Sequence, residues 1–179
     1  MELCDELFES VKIIIANIIE DYDIKYPLDI YELAGKMEFE VVPYSSFGDL
    51  SELLYKRSED GFSMYHNKKL KWFIYYNEKI EPKERIKFTI AHEIGHILLK
   101  TEDEKLANFF AGYLLAPVPL IIDKKFYSKE KVMDFFKVGF RCAKACLNRA
   151  LKRILHDEPY KEYENYIIES QKKINNDNK

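Results

Sequence analysis

A chain of 179 residues with 47% hydrophobic content is long enough for one domain with a proper core, or for one domain with a small appendage. A formal net charge of −3 gives no global argument for nucleic-acid binding. The three cysteines, Cys4, Cys142 and Cys146, are odd in number and form no CxxC pair, so a disulfide framework is not expected and reduced thiols are. The start, Met1-Glu2-Leu3-Cys4-Asp5-Glu6, is acidic and lacks the basic region of a secretory leader. Ile13-Ile14-Ile15 sits in a stretch broken by Asn17 and Glu20, too short and polar to span a bilayer. No membrane association and a cytoplasmic location are expected.

In chain order, residues 5 to 20 carry apolar positions at helical spacing: Leu7, Val11, Ile14, Ile15 and Ile18. Asp29-x-x-Glu32 reads as a capping box that opens a short helix to about Met37. Phe39 to Pro43 reads as a strand, and Ser51 to Lys56 as a helical turn. Residues 60–66 and 70–76 are rich in β-formers and separated by Asn67-Lys68-Lys69, which predicts a hairpin. A helix follows: Pro82 suits a first turn, Glu81 and Glu84 complement its positive end, and Ile86, Ile90, Ile94 and Ile97 form its apolar stripe. After a tight polar turn, a second amphipathic helix starts near Glu104. Further on, Lys131 to Phe136 reads as a short helix, residues 137–139 as a turn and Phe140 to Leu155 as a longer helix, in the outline of a helix-turn-helix. Residues 158–179 read as a polar tail whose end, Lys172 to Lys179, is expected to fray.

The helix after Pro82 contains His92-Glu93-Ile94-Gly95-His96, an HExxH motif. On a helix, i and i+4 lie about one turn apart on the same side, so His92 and His96 can share one metal. Glu93 sits beside them, placed to take a proton from a water activated by that metal. The plain structural alternative is a buried helix with two ordinary histidines.

Zinc needs a third protein ligand and an open fourth position. Two antiparallel helices joined by a turn near Lys100 and Thr101 bring His96 opposite Glu104, and axes about 8–10 Å apart leave room for a metal. Asn108, one turn beyond Glu104, can orient a ligand from behind. Two alternatives stay open here. Thr101-x-x-Glu104 is a capping box, which needs no metal, and Glu102 and Asp103 are rival ligands.

Phe88-Thr89-Ile90-Ala91-His92-Glu93-Ile94-Gly95-His96-Ile97-Leu98-Leu99, followed by Glu104-x-x-Ala107-Asn108-x-Phe110-Ala111-x-x-Leu114-Leu115-x-Pro117, resembles the ImmA/IrrE family of zinc metallopeptidases. The resemblance is dense from about Asp60 to Pro119. It implies one zinc ion per chain, with His92, His96 and Glu104 as ligands and Glu93 as general base. It further implies an endopeptidase that cleaves a helix-turn-helix repressor of a mobile element or a stress response. The stretch from His96 to Glu104 is shorter than in many relatives.

Two further features bear on function. A peptide can add as a strand to an exposed sheet edge. Residues 71 to 76 are the candidate edge, with Tyr75 and Tyr76 near the metal end as candidate substrate-binding residues, although a purely structural hairpin explains the pattern equally well. His66, near the hairpin tip, and His156 read as solvated or structural. The second feature is the helix from Phe140, where Arg141, Lys144, Asn148 and Lys152 follow 3–4 spacing beside Arg149 and Arg153. Such a stripe can contact phosphates or be a solvated face. The paired cysteines Cys142 and Cys146 and the apolar Phe140, Leu147, Ile154 and Leu155 favour engagement of this helix by the core, so direct DNA binding is not expected.

The resulting expectation is an α+β fold: a small antiparallel sheet packed with an HExxH helix pair over residues 1–124, a helix-turn-helix-like subdomain over 125–157, and the tail. The functional expectation is a zinc metallopeptidase. Its rival is a non-catalytic antirepressor, or a DNA- or protein-binding module on the same fold, against which the presence of Glu93 argues.

Overall fold

The structure is a computed structural model that describes the backbone of residues 2–177 and the side chains of residues 5–172. The chain runs through α1 (Glu2–Asp21), α2 (Ile30–Lys36), β1 (Glu40–Pro43), a 3-10 segment (Tyr44–Leu50), α3 (Ser51–Arg57), β2 (Gly61–His66) and β3 (Lys71–Tyr76). It continues through α4 (Glu84–Leu99), α5 (Glu104–Leu115), α6 (Val118–Asp123), α7 (Lys129–Phe136), α8 (Phe140–Leu155) and α9 (Glu162–Asp177). Two compact units divide it: residues 29–111 form one, and residues 1–28 with 112–179 form the other.

In the unit of residues 29–111, the three strands lie in the order β1-β3-β2. β2 and β3 are the expected antiparallel hairpin, in register from Gly61 opposite Tyr76 to His66 opposite Lys71. The sheet as a whole is mixed rather than antiparallel, because β1 joins the other side of β3 in parallel, with Glu40 opposite Phe73 and Pro43 opposite Tyr76. The reason is the connection. Between Pro43 and Lys71 the chain traverses the 3-10 segment, α3 and β2, and it returns in β3 along the direction of β1.

Strand alternation divides the side chains between two faces. Phe73 and Tyr75 form a buried cluster with Tyr44 of the 3-10 segment, flanked by Val42, Leu54, Tyr55 and Phe62. The opposite face carries Gly61, Ser63 and the buried Ile74, and α4 packs on β2 and β3. Asp29 caps α2 as its motif predicts: its side chain accepts from Tyr31 and Glu32 backbone N–H groups at 2.9 and 3.1 Å.

In the other unit, α1 buries Val11, Ile15, Ile18 and Ile19, while Leu7 and Ile14 of the expected stripe are exposed. α7 and α8 occupy the residues read as a helix-turn-helix, with Ser128 capping α7 through a bond from Lys131 N–H. The region read as a polar tail contains α9, which packs on α1 and α6. Among its described side chains, the buried positions are Glu164, Ile167, Ile168 and Gln171, at helical spacing. Two of the four are polar, which hides the stripe from an apolar pattern. Glu164 is buried because it is paired with Arg153, and Gln171 because it bonds Ile24 O and Tyr26 N–H. The expected fraying of the last residues falls largely outside the described side chains, as does Cys4. Cys142 and Cys146 are buried and not joined in a disulfide. Among the described residues, no helix is long and apolar enough to cross a membrane.

Candidate metal centre

The centre is built on α4 and the first residues of α5. α4 buries Ile86, Ile90, Ile94 and Ile97, which fixes its rotation and turns His92 and His96 together to its other side. The helix ends at Lys100, whose left-handed backbone (φ 49, ψ 47) sends its N–H back to His96 O. The reversed chain then presents Thr101 O to His96 Nδ1 at 2.7 Å. A carbonyl only accepts, so Nδ1 carries the proton and Nε2 offers a lone pair. This is the backing a metal-ligating histidine needs.

The helices approach closely. A Cβ at Gly95, inside the motif, would lie 3.0 Å from the Phe110 ring of α5. That proximity brings Glu104, at the start of α5, to both imidazoles. Its carboxylate oxygens lie 3.3 Å from His92 Nε2 and 3.4 Å from His96 Nε2, and the two Nε2 atoms are 2.9 Å apart. A tetrahedral zinc with bonds of about 2.0–2.2 Å has ligand atoms roughly 3.3–3.6 Å apart. The donor set fits zinc in type and the two Glu104 contacts fit it in spacing, while the imidazole nitrogens at 2.9 Å would have to part by a few tenths of an ångström to hold it. Glu104 is 71% exposed, which leaves the triangle open on one side.

Electrostatics prepare the site. Burial pushes His92 below the ordinary histidine value, and neighbouring His96 pushes it further down. Glu93, Glu104 and a hydrogen bond with the Asn108 side chain pull the other way without prevailing. The neutral form that can ligate a metal is thereby favoured.

The rival ligands are differently placed. Asp103 Oδ1 accepts from the backbone N–H groups of Lys105 and Leu106 at 2.8 and 3.4 Å, so Asp103 caps α5. Thr101 Oγ1 instead accepts from Asp103 N–H at 3.0 Å, so the alternative of a Thr101-x-x-Glu104 capping box is not what forms. Among the described residues, His92, His96 and Glu104 are the group whose donors meet, all within 4.8 Å.

Glu93 points away from solvent and is 9% exposed. Its Oε2 accepts a hydrogen bond from Ser63 Oγ of β2 at 2.8 Å. The sequence reading missed Ser63. The available signal was alternation: Gly61 and Ser63 make one face of β2 small among bulky neighbours. It also missed the backing carbonyl of Thr101, which no side-chain pattern encodes.

The substrate expectation for Tyr75 and Tyr76 needs correction. β3 is the central strand, not an edge, because β1 occupies its second side. Tyr75 is 4% exposed and its hydroxyl lies 3.3 Å from His66 Nε2, while Tyr76 packs edge-on against Tyr31. The edge strand that reaches the motif helix is β2. His66 also packs on the Phe73 ring at 4.7 Å, and His156 is an exposed residue at the end of α8. On α8, Arg141, Lys144, Asn148 and Lys152 are exposed. Arg153 is paired with Glu164, and Arg149 bonds the buried Cys146.

An HExxH helix with a carboxylate delivered by the next helix, beside a small sheet, defines a metallopeptidase-type fold. The chain belongs to the M78 peptidase family: the model of its IrrE N-terminal-like domain matches residues 52–148. No curated protein matches the chain.

Proposed function

We propose that the protein is a zinc-dependent endopeptidase, with His92, His96 and Glu104 as metal ligands, Glu93 as general base and Asn108 as the partner that orients His92. The observation that carries this reading is the convergence of two imidazole nitrogens and one carboxylate within 4.8 Å, beside a buried glutamate that belongs to the same motif. Zinc, when bound there, supplies Lewis acidity that polarises a peptide carbonyl and acidifies water. Glu93 accepts the proton of the attacking water at Oε1 and passes it to the departing amine. The substrate strand adds to the outer edge of β2, where main-chain hydrogen bonds align it along the motif helix.

The substrate in this reading is a helix-turn-helix repressor, in keeping with the resemblance to regulatory peptidases. The engagement of Arg149 and Arg153 within their own unit weighs against the rival DNA-binding module. The test is incubation of the zinc-loaded protein with a helix-turn-helix repressor encoded beside its gene, followed by mass spectrometry. A cleaved repressor is expected from the wild type. Glu93→Gln keeps the side chain's shape and removes the base, so it should retain zinc and lose about 10²–10⁴-fold in rate. An uncut repressor with wild-type protein, or near-normal cleavage by Glu93→Gln, overturns the reading.

A further inference from the structure

The bond between Ser63 and Glu93 is part of a built contact between β2 and α4. Gly61 and Ser63 share one face of the strand, and Thr89 and Glu93 share one face of the helix. At Gly61, a Cβ would lie 2.7 Å from Thr89 Cγ2 and 2.8 Å from Tyr75 O. Only glycine allows this approach. It brings the backbone of β2 close enough for the short Ser63 side chain, two residues on, to reach Glu93 Oε2 at 2.8 Å. An ionised carboxylate has no proton to give, so the serine hydroxyl is the donor. A carboxylate that is 9% exposed requires such a partner, because burying it unpaired is costly.

We propose that Ser63 is the positioning residue for Glu93: its hydroxyl fixes Oε2 on the strand side, keeps the carboxylate out of the metal's ligand set, and leaves Oε1 to handle the proton. The inference rests on the metallopeptidase reading above. Glu93 is adjacent in sequence to the ligand His92, so without this restraint its carboxylate can turn toward a bound cation and become a fourth ligand. Such a site would hold its metal more tightly and lose the position meant for substrate.

Cobalt(II) reports this directly, since its visible absorption depends on the number and type of ligands. The experiment titrates cobalt(II) into metal-free wild type, Ser63→Ala, Glu93→Gln and the double variant. Absorption spectra are recorded, and affinity is measured against a chromophoric chelator. Ser63→Ala should shift the visible band, as exchange of a water for a carboxylate does, and tighten cobalt binding by about threefold or more. Neither change should occur when Ser63→Ala is made on top of Glu93→Gln, because the glutamate that moves is gone. A Ser63→Ala spectrum and affinity that superimpose on wild type overturn the proposal. So does the same change persisting in the Glu93→Gln background, which would make it a general effect of altering β2. A wild-type protein that binds no cobalt at all removes the metal reading and this inference together, whereas a normal wild-type site without coupling removes only the role of Ser63.

Discussion

Two clusters of ionisable side chains, one in each unit, use similar chemical groups to opposite ends. At the end of α8, the Arg153 guanidinium binds both oxygens of Glu164 and the carbonyl of Pro159. Tyr113 and Lys161 N–H also donate to the same carboxylate. Glu164 is 1% exposed, and every group around it satisfies another. Burial disfavours the charged Arg153, but its bond with Glu164 outweighs that and raises its pKa. On α4 and α5, three lone-pair donors converge instead: two imidazole nitrogens and a carboxylate, open to solvent on one side. Close pairing of opposite charges marks a cluster that completes itself. Close pairing of donors marks one that could hold a cation.

The sharpest way to break the comparison is to remove one converging donor. His96→Ala should lose stoichiometric zinc, read by elemental analysis after dialysis, while the urea midpoint of the metal-free protein changes little. One zinc per chain in that variant would show that the α4–α5 triangle is not the metal site. The self-completed cluster should respond in the opposite sense. Arg153→Ala leaves the Glu164 charge buried and unpaired, at an expected cost of about 3–5 kcal/mol in urea unfolding, with zinc content unchanged in the folded fraction. A loss under about 1 kcal/mol would mean that Glu164 finds water or another partner.

A smaller effect should come from behind the metal. Asn108→Ala removes the side chain that bonds His92, and a zinc affinity about 10–100-fold weaker is expected in a chelator competition. Unchanged affinity would reduce Asn108 to a packing residue. The smallest effect lies at Glu9, on α1. Burial would raise its pKa, but bonds from Lys161, Tyr163 and Lys12 prevail and lower it from 4.5 to about 2. The stabilisation is therefore present above about pH 4.5 and lost as pH falls toward 2. Allowing for partial exposure, Glu9→Gln should cost about 1 kcal/mol at pH 6 and progressively less as the pH falls through that window. A cost independent of pH would assign the effect to shape rather than charge.

The parts legible in the sequence are those that short-range geometry dictates. The HExxH helix, the hairpin, the helix beginning at Glu104 and the pair α7–α8 all follow from periodicity, turn residues and i,i+4 spacing, which act within one or two turns of chain. The same spacing turned His92 and His96 to one side before any fold was known. What only the tertiary structure decided involves a partner distant in sequence. β1 pairs in parallel with β3 across three intervening elements, which makes β3 central and moves the free edge to β2. Ser63 reaches Glu93 across 30 positions because Gly61 lets a strand lie close against a helix. Asp103 is a cap and Glu104 is the group at the histidines because the turn after Lys100 sets where α5 begins. α9 is buried through Glu164 and Gln171, whose polarity conceals their position until their partners Arg153, Ile24 and Tyr26 are known. A sequence pattern records which face of an element avoids water. It does not record what that face will meet, because the partner's position is set by the packing of the whole unit.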